Sequence, residues 1–343
     1  MRKLGNVLYI TTPQAFLALD GETVVVKKNE SKSMRLPLHN LQGIVCFNYP
    51  GVSPALMGAC AERNINLVFL KPSGRFLARV TGRTKGNLLL RKKQYALVQD
   101  ESVCVSIAAS CLLGKIANSR RVIDRALRDH ALLVDVPALQ AASDFLKATL
   151  PAVREASSID TLRGLEGSAA KQYYRVFGQL ILHQKDDFYF TNRNRRPPRD
   201  NMNALLSFFY SLLTYEVASA LETVGLDPQM GFLHADRPGR PSLALDLMEE
   251  LRPVFADRLA LTLVNRKQIN GKGFVQKESG GVLMDDDTRK KVITAWQERK
   301  RDEIIHPYLK ERMPFGLIPH VQAQLLSRYL RGDLDAYPPF FWS

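Results

Sequence analysis

The stretch Gly231–Pro253, GFLHADRPGRPSLALDLMEELRP, gathers residues whose types and spacing suit chemistry. His234 stands in a loop rich in proline, glycine and arginine that opens onto an apolar helix carrying Asp246, Glu249 and Glu250. A histidine and an acid brought together by a loop-to-helix turn can hold a divalent cation. Arg237, Arg240 and Arg252 around them suit a phosphate-rich substrate. A metal-dependent enzyme acting on nucleic acid is the chemistry this grouping favours. Taken alone, His234 also reads as a satisfied histidine at a helix entrance. Asp246 and Glu249 are spaced i, i+3 and share neighbouring parts of one face, so one can be a ligand while the other braces it. Glu250 falls about a hundred degrees further round the helix and reads as solvated.

A second grouping is LRGLEGSAAKQYY, residues 162–174, where Glu166 stands among Gly164, Gly167, Ser168, Ala169 and Ala170. Glycine inside a helix costs about 1 kcal/mol against alanine, so the repeat predicts close packing against a helix or a ligand. An acid in so tight a patch needs a partner, either a function or an arginine such as Arg163. A third is TNRNRRPPRDNMNALLSFFYSLL, residues 191–213. Arg193, Arg195, Arg196 and Arg199 there precede a helix start, a placement that suits phosphate and equally suits a solvated basic loop. GRTKGNLLLRKKQY supplies Arg83, Lys85, Arg91, Lys92 and Lys93 without compensating acids. Asp285–Asp287 read as the capped start of a helix, where acids favour the positive dipole end, and not as ligands.

The elements that must position these residues divide into two kinds. Residues 1–82 read as a small β domain. Its strands are LGNVLYITT, AFLALDG, ETVVVKK, LQGIVCF and INLVFLK, with one helix at 53–64 and a hairpin turn at 72–74. Residues 83–343 read as a larger all-α domain, with helices at 87–128, 136–150, 157–182, 200–223, 242–262, 287–312 and 317–331. Asp200 is a predicted N-cap and Gly225 a predicted stop. Residues 269–284 read as a hairpin or loop between helices. The tail AYPPFFWS cannot continue a helix and is expected to dock on a surface. The fold class is therefore α+β.

Composition narrows the partners. Of 343 residues 48 are Lys or Arg and 34 Asp or Glu, a net charge of +14 that calls for a polyanion. No apolar run approaches the ~20 residues that span a bilayer, which argues against a membrane. The N-terminus MRKLGNVLYITTP lacks a signal peptide's apolar core. Cys46, Cys60, Cys104 and Cys111 form no CxxC pair, which suggests a reducing cytoplasm.

Together the β-rich start, GRTKGNLLLRKKQY, LRGLEGSAAKQYY, RNRRPPRDNMNALLSFFYSLL and GFLHADRPGRPSLALDLMEELRP resemble the CRISPR-associated endonuclease and integrase of spacer acquisition, most nearly its type I-C branch. The resemblance implies an N-terminal β domain joined to an α-helical domain that holds a metal site. It places the metal ligands on Glu166, His234 and Glu249, with Asp246 in support. It implies Mg²⁺ or Mn²⁺, and one nitrogen among oxygens suits Mn²⁺ somewhat better. It further implies double-stranded DNA as substrate, both prespacer and CRISPR repeat, with attack by a DNA 3′-OH for integration and by water for cleavage. Expected partners are a second copy through the β domain and a dimer of the small second CRISPR adaptation protein. Two rival readings are a non-catalytic basic nucleic-acid binder and a metal-dependent RNA nuclease.

Overall fold

Short β-branched runs broken by tight turns fold the N-terminal part into two sheets. The computed structural model describes residues 4–28, 32–83 and 87–342. In chain order the first elements are β1 (Asn6–Ile10), β2 (Phe16–Asp20), β3 (Thr23–Lys28), β4 (Lys32–Pro37), β5 (Leu41–Cys46), β6 (Gly51–Val52), helix α1 (Pro54–Glu62), β7 (Asn66–Leu70) and β8 (Phe76–Val80). One sheet has the order β1-β5-β7-β8 and the other β4-β3-β2-β6. Helix α1 carries the chain between β6 and β7, and its first turn is held by the Ser53 hydroxyl, which accepts from the Leu56 N–H. The 72–74 turn forms as expected, with Gly74 at φ 82 closing the β7–β8 hairpin.

Strand β5 shows how the two parts join. Alternation sends Ile44 and Cys46 into a cluster with Ile10, Leu17, Val24 and Leu67. Val45 points the other way, with Phe47, Val68 and Leu70, into the main helical core. There Phe47 stacks on Phe208 at 5.9 Å between ring centroids. The central strands β5 and β7 are thus covered on both faces, as expected of their parallel pairing.

The remaining elements are α2 (Leu88–Leu97), α3 (Glu101–His130), α4 (Val136–Glu155), α5 (Ile159–Phe177), α6 (Asn201–Thr223), α7 (Ser242–Met248), α8 (Arg258–Asn265), β9 (Phe274–Gln276), β10 (Val282–Met284), α9 (Asp286–Arg301), β11 (Glu303–Ile305), β12 (Arg312–Pro314) and α10 (Ile318–Arg331). Asp200 caps α6, Gly225 follows its end at φ 91, and Asp285 caps α9, all as expected. Residues 269–284 contain the β9–β10 hairpin. The tail docks, with Tyr337 and Phe340 buried.

Four expectations need correction. The predicted helix 87–128 is two helices, because the Asp100 carboxylate accepts from the Ser102 and Val103 N–H groups and starts a new one. The predicted 242–262 helix is interrupted: α7 ends at Met248, and a π-helical turn, Arg252–Asp257, precedes α8. The predicted 287–312 helix stops at Arg301, and its remainder forms the β11–β12 hairpin, so the C-terminal part is not wholly α. Finally, α3 and α6 are long and apolar enough to cross a bilayer, contrary to the expectation that no run approaches that length; more than half of each apolar window is buried in the helical core.

Candidate active site

The loop after α6 is shaped by a buried carboxylate. Asp246, in α7, accepts backbone N–H bonds from Phe232 at 2.6 Å, Leu233 at 3.0 Å and His234 at 3.0 Å. Its Oδ1 also lies 2.6 Å from His234 Nδ1. A carboxylate here accepts, so His234 Nδ1 donates to Asp246 and the ring is turned with Nε2 toward Glu249. Gly231 makes this closure possible: a Cβ there would stand 2.7 Å from Ser242 Cβ and 2.8 Å from Asp246 Oδ2.

Beyond the imidazole lies Glu249, at the C-terminal end of α7. His234 Nε2 is 3.9 Å from Glu249 Oε1, and Arg252 Nη2 is 3.2 Å from the same oxygen. Lys115, from the middle of α3, places its ammonium 2.8 Å from Glu249 Oε2 and also pairs with Glu166 of α5. Four elements therefore bring Glu166, His234, Glu249 and Lys115 to one point. Glu249 is 3% exposed in its side chain and Glu166 32%, so the site has a buried floor and an open side. Burial alone would raise the Glu249 carboxyl, but Arg252, Lys115 and His234 hold it well below the usual carboxylate range.

Sequence reasoning missed Lys115, although the signal was present. It falls on the buried stripe of α3, between Cys111 and Asn118, where a lysine needs a partner. It also missed Asp257, whose buried carboxylate accepts from Tyr210 at 2.6 Å and Tyr173 at 3.0 Å. Tyr174 and Tyr210 hydroxyls are 2.8 Å apart, and Arg252 lies over the Tyr210 ring at 5.1 Å. The π-helical turn sets this spacing between Glu249 and Asp257, and such turns recur at functional sites.

Other sequence expectations change here. Glu250 is not solvated but fully buried. It accepts from Gln322 at 2.9 Å, Tyr337 at 2.6 Å and the Phe340 N–H at 2.7 Å. Burial pushes its carboxyl up to about 7. Glu250 lies past the end of α7, in a turn covered by the C-terminal tail, so helical periodicity does not place it. Glu166 pairs with Lys115, while Arg163 turns to Asp160 and the Leu233 carbonyl. Gly164 and Gly167 do not pack closely: a Cβ at either would meet nothing within 4 Å. The small residues leave the surface beside Glu166 open.

The basic residues fall into separate groups. Arg195, Arg196, Arg199 and Arg237 are exposed. Burial, and then repulsion from Arg237, Arg195 and Arg196, lowers the Arg240 guanidinium, so the 193–199 and 235–240 loops converge. Arg193 is committed to the fold, bonded to Asn203 at 2.7 Å and Ser207 at 2.9 Å. Arg252 is likewise an internal partner of Glu249 and not a free phosphate contact. Arg83 and half-buried Arg91 line a cleft of about 420 Å³ between β8 and α6, and Lys92 is exposed. Lys85 lies outside the described residues.

The chain is similar to known proteins along its whole length. It is 52% identical to the CRISPR-associated endonuclease Cas1 2 of Rhodospirillum rubrum and 47% identical to the CRISPR-associated endonuclease Cas1 1 of Chlorobaculum tepidum, with 100% of each chain covered in both cases. Among solved structures, a Cas1 protein from Thermotoga maritima matches at a TM-score of 0.79 and 25% identity, covering 95% of this chain and 97% of that one. A casposase bound to its integration product shares the fold at a TM-score of 0.83 and 20% identity, covering 97% and 93%. The family described as CRISPR associated protein Cas1 matches residues 8–298. With a match that spans most of its length and relatives of full coverage, this chain belongs to the Cas1 family.

Proposed function

We propose that this chain is a DNA endonuclease and integrase of CRISPR spacer acquisition whose chemistry takes place at Glu166, His234 and Glu249. The observation that carries this reading is the convergence of those three residues, from α5, the loop after α6 and the end of α7, at a half-open point beside the basic loops 193–199 and 235–240. The names of the full-length relatives support the nuclease part. The casposase with its integration product supports the joining part by analogy of fold.

The donor set fits a divalent metal ion. Two carboxylates already share one cation, the Lys115 ammonium. Buried Glu249 Oε2 is met by the Lys115 ammonium, a cation in the place a metal ion would take, and Asp246 sets the orientation of the His234 ring whose Nε2 faces Glu249. Among the described residues no three such side chains stand close enough to hold a metal ion as they are, and the Lys115 ammonium lies between the two glutamates. Glu166, His234 and Glu249 would hold Mg²⁺ or Mn²⁺, with Asp246 in support. Such an ion supplies charge stabilisation at a reacting phosphodiester.

The chain's own residues do the rest. Asp246 fixes the imidazole, Arg252 keeps Glu249 ionised, and the bare face at Gly164 and Gly167 leaves room for a duplex. Arg195, Arg196, Arg199, Arg237 and Arg240 bind phosphate oxygens, and Arg83, Lys85, Arg91 and Lys92 extend the grip along the β8 side. A DNA 3′-OH as attacking group gives integration and water gives cleavage. Residues 1–82 serve as the dimerisation unit and 83–343 as the catalytic one, working with a dimer of the small second adaptation protein in the cytoplasm, in a system of type I-C. Free, buried Cys46, Cys60, Cys104 and Cys111 support a reducing compartment. Neighbours titled as Cas1–Cas2 complexes support that partnership by fold.

The test is strand transfer into a repeat-containing duplex with 3′-OH or 3′-blocked donor DNA, run for the wild type and Glu166→Ala. Joining that needs the free 3′-OH and vanishes in Glu166→Ala supports the proposal. Joining that persists in Glu166→Ala, or a preference for RNA over DNA, overturns it.

A further inference from the structure

We propose that the Lys115 ammonium is an internal counter-cation, holding the seat between Glu166 and Glu249 until a divalent metal ion replaces it. This rests on the metal-site reading above. Lys115 reaches the site from α3, its side chain only 12% exposed, and pairs with one oxygen of each carboxylate. A buried ammonium is tolerated only when its charge is matched. Here Glu166 and Glu249 supply that match from two sides. With Arg252 also on Glu249, two carboxylates face two cations, so the metal-free site is already balanced.

That balance makes the ammonium and a metal ion exclusive. A divalent cation bound to the same two oxygens at about 2.0–2.2 Å would need the space that Nζ fills. Even beside it, two positive centres would compete for one pair of carboxylates. The lysine has one way to withdraw. The cavity beside its stem, lined by Lys115, Ser119, Tyr173, Tyr174 and Asp257, is only about 10 Å³, too small to take the ammonium, so the way out is past Glu166, whose side chain is 32% exposed. Lys115 is therefore a positioning residue. It keeps Glu166 and Glu249 together and charged, sets the affinity that an entering ion must exceed, and leaves a mobile ammonium beside the substrate phosphate once displaced.

The experiment is Mn²⁺ binding by the full chain, read from the paramagnetic resonance signal of free Mn²⁺, for wild type, Lys115→Met, Lys115→Arg and Glu249→Gln. Lys115→Met is expected to bind Mn²⁺ about tenfold more tightly than wild type, while Lys115→Arg, which keeps the charge, shows no gain. In chelator the Lys115→Met chain should melt several degrees lower and recover with Mn²⁺. Equal or weaker binding by Lys115→Met, with Glu249→Gln still losing Mn²⁺, overturns the counter-cation role and leaves the metal site standing. Wild-type binding by Glu249→Gln removes the metal site and the proposal together. A Lys115→Met chain that melts as wild type in chelator, or stays unfolded with Mn²⁺ present, also overturns it.

Discussion

Glu249 and Glu250 are neighbours in the chain and both are buried, yet they occupy opposite electrostatic worlds. Around Glu249 stand Lys115, Arg252 and the His234 imidazole, and its carboxyl is held well below the ordinary range. Around Glu250 stand only neutral donors, Gln322, Tyr337 and the Phe340 N–H, and burial pushes its carboxyl up to about 7. Burial alone favours a proton on either group; what separates them is whether cations face the carboxylate. The first is kept ionised at the buried floor of the site. The second is a joint that fastens the C-terminal tail to the segment carrying the first, helped by Asn118, which donates to the Glu250 and Phe340 carbonyls.

The largest test of this contrast removes the imidazole. His234→Ala is expected to lower strand cutting by on the order of 10³-fold, the scale of losing one preorganised contact to the transition state. Gel analysis of a labelled duplex measures it, with duplex affinity retained. A variant that cuts at the wild-type rate breaks the active half of the comparison.

On the other side, Glu250→Ala leaves the Tyr337 hydroxyl, the Gln322 amide and the Phe340 N–H without their shared acceptor. It is expected to destabilise the fold by about 3 kcal/mol, read from denaturant unfolding. Unchanged stability would mean that the tail is not fastened there. Asp246→Asn sharpens the link between loop and site, because one amide oxygen cannot replace a carboxylate accepting three backbone N–H groups and Nδ1–H. Its Mn²⁺ affinity should fall by about 10–100-fold, measured by titration.

Asp257 extends the comparison to pH. Burial raises its carboxyl from 3.8 to about 6, so the folded state binds its proton more tightly than the unfolded state does. Its contribution to stability is therefore full below pH 3.8 and lost as pH rises through about 6. Asp257→Asn should flatten that slope in melts taken across the window; an unchanged slope contradicts the assignment. The smallest effect belongs to the rim. Arg195→Ala and Arg196→Ala should each reduce the salt dependence of duplex binding by roughly one unit of slope, without altering sequence preference.

Much of this was legible where local chemistry decides. The caps at Asp200 and Asp285 were readable because a side chain serves its own helix start, and β3 and β5 were readable from their β-branched runs. Strand β4, KSMRLP, was not read: its pairing with β3 comes from the neighbouring strand and not from its own lysine, arginine and proline. The break inside the 87–128 helix was not read, because it comes from the Asp100 carboxylate capping α3. The meeting of Glu166 with Glu249 crosses eighty-odd residues, and only family resemblance suggested it. Glu250 was misread because the helix ends before it and the C-terminal tail, distant in sequence, covers it. Lys115 could have been found by asking why a lysine lies on a buried stripe.

The most direct measurement sets the two neighbours side by side: strand transfer of 3′-OH donor DNA by Glu249→Gln and Glu250→Gln, each at a temperature where it is folded. The account predicts that Glu249→Gln abolishes joining while Glu250→Gln joins near the wild-type rate, with a lower melting temperature. Joining by Glu249→Gln, or equal loss in both, would contradict it.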